Sequence, residues 1–316
     1  MVCRPFGTKG SAVHSGILLV DKPQSITSHD VVARTRKLAG TRRVGHAGTL
    51  DPMATGLLIL GINSSTRLLT FLVGQDKEYL ATIRLGLTTT TDDAEGEAVD
   101  KAETDAVANV SDAAIAAAVA ELTGDISQVP SSVSAIKVDG KRAYALVRAG
   151  ETVELKSRPV TVSRFDVLER RLVDGFLDLD VRVECSSGTY IRALARDLGA
   201  ALGVGGHLTR LRRTRIGPFS VDNAPTLAEL NVEASLIGPA NAASVLFPRI
   251  ELTEQQAIDL GHGKKVVAAE LTLSGPLGPD GLGAGVAPDG RLVGLVKITG
   301  DTAKSTVNFP ADSEDK

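Results

Sequence analysis

The sequence predicts an α+β fold built on a mixed, mainly antiparallel sheet. Strand-like runs outnumber helical ones, and the two do not alternate regularly, as a doubly wound parallel sheet would require. Aromatic residues make up only 3% of the 316 residues and Trp is absent, so the core must be built from Ala, Val, Leu and Ile. With 43% hydrophobic and 23% charged residues, the chain has globular composition and length for one large domain or two unequal ones. The longest apolar run, Ala113 to Ala120, falls far short of the ~20 residues a membrane helix needs. The N-terminus carries Arg4 and Lys9 without the apolar stretch of a signal peptide, and the two cysteines, Cys3 and Cys185, give no disulfide framework. A cytoplasmic, membrane-free protein is expected.

Taken in order, residues 1–14 read as a flexible tail. Ile17 to Val20 is a short apolar strand closed by Asp21-Lys22-Pro23, where proline ends the ladder. Ser28 is a suitable cap for a helix to about Ala39, with Val31, Val32, Thr35 and Leu38 on one face and Gly40 as its stop. Gly56 to Ile62 reads as a buried strand. Lys77 to Leu85 alternates, with Tyr79, Ala81, Ile83 and Leu85 on one side. Ser111 caps an alanine-rich helix closed by Gly124. Phe176 to Cys185 alternates again, and Ile191, Leu194, Ala195, Leu198 and Leu202 keep helical spacing from Tyr190 onward. A composition shift near Pro248 divides a domain of residues 15–247 from a small β unit of residues 248–316. In that unit a Gly/Pro-dense stretch, Ser274 to Asp289, separates strand-like runs such as Leu292 to Ile298.

The formal charge of −3 conceals segregation. Arg34, Arg36, Lys37, Arg42 and Arg43 occur without an acid between Arg34 and His46, and six arginines against Asp197 occupy Tyr190 to Arg215. Lys137 to Arg171 is also basic, whereas Asp92 to Asp125 holds ten acids and only Lys101. One charge run is ordinarily an exposed helix face. Three arginine-rich runs point instead to a polyanion-facing surface with a solvated acidic back, because the guanidinium fork binds two phosphate oxygens at once.

The densest chemistry lies in Arg43-Val-Gly-His-Ala-Gly-Thr-Leu-Asp-Pro-Met-Ala-Thr-Gly56. A carboxylate on a rigid turn between regular elements suits a nucleophile or base, although the same residues also describe an ordinary Gly-Pro turn in which Asp51 bonds its own backbone. No His/Cys cluster has metal-ligand spacing, so neither metal nor cofactor is implied.

Together with Asp21-Lys22-Pro23, the segment His46-Ala-Gly-Thr-Leu-Asp51-Pro-Met-Ala-Thr-Gly56 resembles the TruB-type bacterial tRNA pseudouridine synthases. Further blocks agree in order: Lys77-Glu-Tyr79 with Arg84-Leu-Gly86, Gln128-Val-Pro-Ser-Ser-Val-Ser-Ala-Ile-Lys137, Gly140-Lys-Arg-Ala-Tyr144, Arg158-Pro159, Cys185-Ser-Ser-Gly-Thr-Tyr-Ile-Arg192 and Gly206-His-Leu-Thr-Arg-Leu-Arg-Arg-Thr214. The resemblance spans about residues 16–220 and weakens past 248, where the family variably carries a small RNA-binding, PUA-like β-barrel.

It implies isomerisation of uridine 55 in the T-loop of tRNA to pseudouridine. Asp51 would be the catalytic carboxylate and Arg192 its ion-pair partner. Tyr79 and Tyr190 would flank the extruded base, with Tyr79 as the candidate for proton transfer, and Leu211 would line the uracil pocket. His46 would fill the place of the flipped nucleotide. Lys22 would approach a phosphate or support Asp51. Arg43, Lys137, Lys141, Arg142, Arg212 and Arg213 would grip the T-arm backbone, where contacts are salt-dependent and carry little sequence information. The expected partner is tRNA alone, bound by a monomer.

Two other readings differ in class. A tRNA-folding chaperone would carry the motif incidentally, and Asp51→Asn separates it from the enzyme. A glycoside hydrolase would need a second acid near Asp51. Between Lys22 and Gln75 the only other acid is Asp30.

Overall fold

The computed structural model describes residues 13–131, 155–278 and 280–311, with the backbone of 137–138 and 141–142. Residues 1–12 of the expected tail, Tyr144, and the side chains of Lys137, Lys141 and Arg142 lie outside the described residues. Val13, placed in that tail by the sequence, packs against a buried apolar cluster, and its carbonyl accepts from Asn63 Nδ2 at 2.7 Å.

The first four strands in chain order are β1 (Gly16–Lys22), β2 (Val44–Ala47), β3 (Thr55–Ile62) and β4 (Lys77–Leu85). They belong to a nine-stranded sheet whose main path runs β1, β3, Gly206–Ile216, β4, Phe176–Cys185, Arg158–Val173 and Gly124–Gln128, with β2 paired to β3. Every pairing along the path is antiparallel except that of Gly206–Ile216 with β3, where Arg212 lies opposite Thr55 and Arg213 opposite Gly56. The sheet is therefore mixed and mainly antiparallel, as predicted.

The alternations in β4 and Phe176–Cys185 have a common cause. Tyr79, Ala81, Ile83 and Leu85 join Leu177, Leu179, Val181, Val183 and Cys185 in one buried cluster. Helices Asp112–Glu121 and Ile191–Ala201 cover it with Ile115, Ala118, Leu194 and Leu198. Val31 and Val32 of α1 (Ser28–Leu38) pack on a separate cluster with β1 and β3.

Two local expectations are corrected. The cap of α1 is Thr27, not Ser28: the Thr27 hydroxyl accepts from Asp30 N at 3.1 Å, and the Asp30 carboxylate accepts from Thr27 N at 2.8 Å. This reciprocal box leaves the Ser28 hydroxyl free to turn inward. Leu38, expected on the buried face, is exposed because α1 ends there and Ala39 takes the buried position.

The C-terminal unit is a curled six-stranded sheet in the order Lys265–Val267, Thr302–Asn308, Leu292–Thr299, Leu282–Val286, Arg249–Glu251, Thr272–Leu273. Leu282–Val286 falls inside the stretch read as a Gly/Pro separator. Its glycines allow close packing: a Cβ on Gly283 would stand 2.6 Å from the Ile250 side chain. Ala284, Val286, Leu292, Leu295 and Phe309 share one apolar cluster with Ile17, Leu57 and Ile59 of β1 and β3.

Candidate active site

Residues 48–54 connect β2 to β3 outside the regular ladder, and surrounding groups supply the missing partners. Arg213 Nη2 donates to Gly48 O at 3.0 Å and its Nε to Leu57 O at 2.8 Å. Ser28 Oγ accepts from Leu50 N at 2.8 Å and donates to Leu50 O at 3.1 Å. Ala54 N donates to Asp51 O at 3.1 Å, and Ser25 N to Pro52 O at 2.9 Å. The loop is thus bonded along its length, which is how an irregular segment holds a side chain in one place.

Asp51 projects from this loop and remains 38% exposed, open to a ligand, while Arg192 is only 6% exposed. Arg192 Nε lies 3.0 Å from Asp51 Oδ2. On its other side, Nη1 meets Asp93 Oδ2 at 3.3 Å and donates to Thr91 O at 3.0 Å. An arginine fixed by a buried acid and a carbonyl presents its remaining edge to Asp51, keeping that carboxylate oriented.

The pair opens into a cleft of about 280 Å³ lined by Asp51, Tyr79, Tyr190, Arg192, Leu211, Lys77 and Arg213 among others. These residues come from four separate stretches of sequence. Tyr79 is buried opposite Arg213 in the strand register, and burial raises its phenol further above its ordinary value, so it is neutral and able to donate. Tyr190 begins helix Ile191–Ala201, and buried Gln128 fixes its backbone by accepting from its N at 2.8 Å and donating to its O at 3.1 Å. Leu211 is buried at the cleft wall.

His46 sits on β2 with its ring edge-on to His29, centroids 5.5 Å apart. Burial, then His29 and Arg213, depress its pKa, so the ring is neutral at pH 7 and suited to stacking. Lys22 is fully buried, and its ammonium donates to Ile26 O at 2.8 Å, Pro23 O at 3.0 Å and Pro52 O at 3.4 Å. It braces the loop after Asp51 and is shielded from any phosphate. Burial lowers it to about 8, against the opposing pull of Asp51 and Glu95.

The expected backbone-binding arginines divide. Arg43 is exposed. Arg212 forms a two-pronged pair with Asp21 at 2.7 and 3.0 Å. Arg213 is 1% exposed, so its expected contact with phosphate gives way to a role inside the protein, holding the Asp51 loop. The acidic stretch is likewise not all solvated back, since Asp93 is buried behind Arg192 and Asp92 meets Arg196 at 3.2 Å.

Sequence reasoning did not single out Asp93, Gln128, Ser28 or Lys77. Gln128 and Lys77 stand inside the quoted motif blocks. Asp93 was masked by its acidic neighbours, and Ser28 by its resemblance to a helix cap.

The chain thus carries, on a mixed sheet, an arginine-held carboxylate beside two tyrosines. It matches the TruB family pseudouridylate synthase N-terminal domain over residues 36–191, the tRNA pseudouridylate synthase B C-terminal domain over 192–250, and the tRNA pseudouridine synthase II C-terminal domain over 247–310. The tRNA pseudouridine synthase B of Leifsonia xyli subsp. xyli (strain CTCB07) is 62% identical over 301 residues, covering 95% of this chain and 98% of that protein. The protein of that name from Paenarthrobacter aurescens (strain TC1) is 57% identical, covering 93% and 95%. Among solved structures, a chain of an H/ACA RNP bound to a substrate RNA containing 2′-deoxyuridine superposes with a TM-score of 0.69 at 25% identity, covering 94% of this chain and 86% of that one. The chain belongs to the TruB family of pseudouridylate synthases and is an isomerase. Among the described residues, no helix is long and apolar enough to cross a membrane.

Proposed function

We propose that this protein converts uridine 55 in the T-loop of tRNA to pseudouridine, with Asp51 as the nucleophile. The observation that carries this reading is the Asp51–Arg192 contact of 3.0 Å at the mouth of a cleft walled by Tyr79, Tyr190 and Leu211. A carboxylate so held supplies an electron pair to the uridine, as carboxylates do in glycoside hydrolysis. The N1–C1′ bond breaks, a C5–C1′ bond forms, and the C5 proton is replaced by one on N1. Atoms and electrons balance within the nucleoside, so no co-reactant is required.

The base must leave its stack to reach Asp51, at a cost of a few kcal/mol. Tyr190 offers a stacking face, Tyr79 a neutral phenol for proton transfer, and His46 an uncharged ring to occupy the vacated place. Exposed Arg43 contacts the RNA backbone, and the C-terminal unit from residue 248 contacts more distal tRNA. The enzyme works in the cytoplasm as a monomer without a cofactor.

The test is nucleoside mass spectrometry after incubating the purified chain with unmodified tRNA. One pseudouridine per molecule should appear, at position 55, and Asp51→Asn should abolish it while tRNA binding persists. Pseudouridine formed by the Asp51→Asn protein would overturn the catalytic assignment and leave binding and folding of tRNA as the activity.

A further inference from the structure

We propose that Ser28 is a positioning residue for Asp51. Its hydroxyl is fully buried, and it makes two hydrogen bonds to a single residue distant in sequence: it accepts from Leu50 N at 2.8 Å and donates to Leu50 O at 3.1 Å. Leu50 is covalently adjacent to Asp51. A hydroxyl that engages both the donor and the acceptor of one residue fixes that residue against rotation about either of its peptide planes.

The neighbouring contacts show where the constraint acts. On the far side of Asp51, the Pro52 carbonyl accepts from Ser25 N at 2.9 Å and from Lys22 Nζ at 3.4 Å. The segment 22–28 therefore grips the residues before and after Asp51 while leaving the carboxylate itself to Arg192. Ser28 is the only member of this grip that acts through an uncharged side chain with one function to lose. Loss of the hydroxyl would leave the Leu50 N–H and C=O buried without that partner, and the loop would shift to recover one. A displacement of about 1 Å at a reacting group lowers rate by about 10²-fold.

Thr27 provides the internal control. It precedes Ser28 and its hydroxyl also bonds backbone, but it caps α1 through Asp30 N and, among the described residues, its hydroxyl makes no hydrogen bond to the loop. A serine with a merely structural role would behave like Thr27 on substitution.

The proposal rests on Asp51 being the catalytic carboxylate. Single-turnover pseudouridine formation with enzyme in saturating excess over unmodified tRNA, together with the tRNA dissociation constant, would be measured for the full chain and for Ser28→Ala, Ser28→Cys, Thr27→Ala and Asp51→Asn. Ser28→Ala should slow the bound-state rate by about 10- to 100-fold with tRNA affinity within about twofold of the parent. Ser28→Cys, a weaker donor and acceptor of similar shape, should recover part of the rate. Thr27→Ala should keep the parental rate despite losing its cap.

A Ser28→Ala rate within twofold of Thr27→Ala overturns the proposal. If Ser28→Ala yields no folded protein, Ser28→Cys decides: a clear loss of rate at unchanged affinity supports it, and a parental rate overturns it. Activity in Asp51→Asn would instead defeat the catalytic reading of Asp51, whereas an inactive Asp51→Asn beside a fully active Ser28→Ala would defeat only this proposal.

Discussion

Asp93 holds Arg192 from behind: its Oδ2 stands 3.3 Å from Arg192 Nη1, with the two side chains 4% and 6% exposed. The arginine thus lies between one buried acid and one open to the cleft. A buried cation whose counter-ion is removed is strongly destabilising, by about 3–5 kcal/mol, while a half-exposed pair is worth much less.

Asp93→Asn should therefore lower both thermal stability and turnover. The amide keeps the shape but not the charge, so Arg192 is drawn toward Asp51 and its edge moves. Turnover should fall by about 10- to 100-fold with little change in tRNA affinity, checked by single-turnover kinetics and thermal melting.

Arg213 and Arg43 should separate an internal role from an external one. Arg213→Lys keeps the charge but loses the fork that reaches Gly48 and Leu57, so melting temperature and turnover should drop together. Arg43→Ala should leave stability unchanged and weaken tRNA binding, reducing the salt slope by about one counter-ion. Filter binding across a salt series distinguishes them.

Gly56 lies directly against the neighbouring strand, with φ +100° and the position of a Cβ only 2.2 Å from Arg213 O. Gly56→Ala should break the one parallel junction of the large sheet. Destabilisation on the order of 4 kcal/mol or more is expected, read as insolubility or as a lowered urea midpoint.

Lys77 supplies a pH signature. Burial pushes its ammonium down to about 8 from 10.5, while its Nζ donates to Gln75 O at 2.6 Å and Val73 O at 2.9 Å. Between those two pH values the unfolded chain binds the proton that the folded chain has released, so this group's contribution to stability rises with pH. Relative to Lys77→Met, the parent protein should gain about 2–3 kcal/mol between pH 7 and pH 10, measured by urea unfolding. A flat difference would contradict the assignment.

Much of the fold could be read from period-two alternation. Lys77 to Leu85 and Phe176 to Cys185 are regular because each buries one face against the same helices. The glycine-rich strand Leu282–Val286 lacked that signal, since close packing against Ile250 replaced side-chain alternation with small residues. In the site, Asp51, Tyr79, Tyr190, Arg192 and Leu211 were accessible through motif blocks. Asp93, Ser28 and the inward turn of Arg213 were not, because each acts on residues distant in sequence through contacts that no local pattern records. Arginine-rich composition could not separate Arg213, which holds a loop, from Arg43, which faces water.

The apolar cluster joining Ala284, Val286, Leu292 and Phe309 to Ile17, Leu57 and Ile59 makes the two sheets jaws of a single caliper. Its span is set by packed side chains and not by a tether, so any molecule that touches both jaws must match a fixed gauge. Cutting the chain before Pro248 would strip this apolar backing from β1 and β3, and the remaining jaw would lose its own footing.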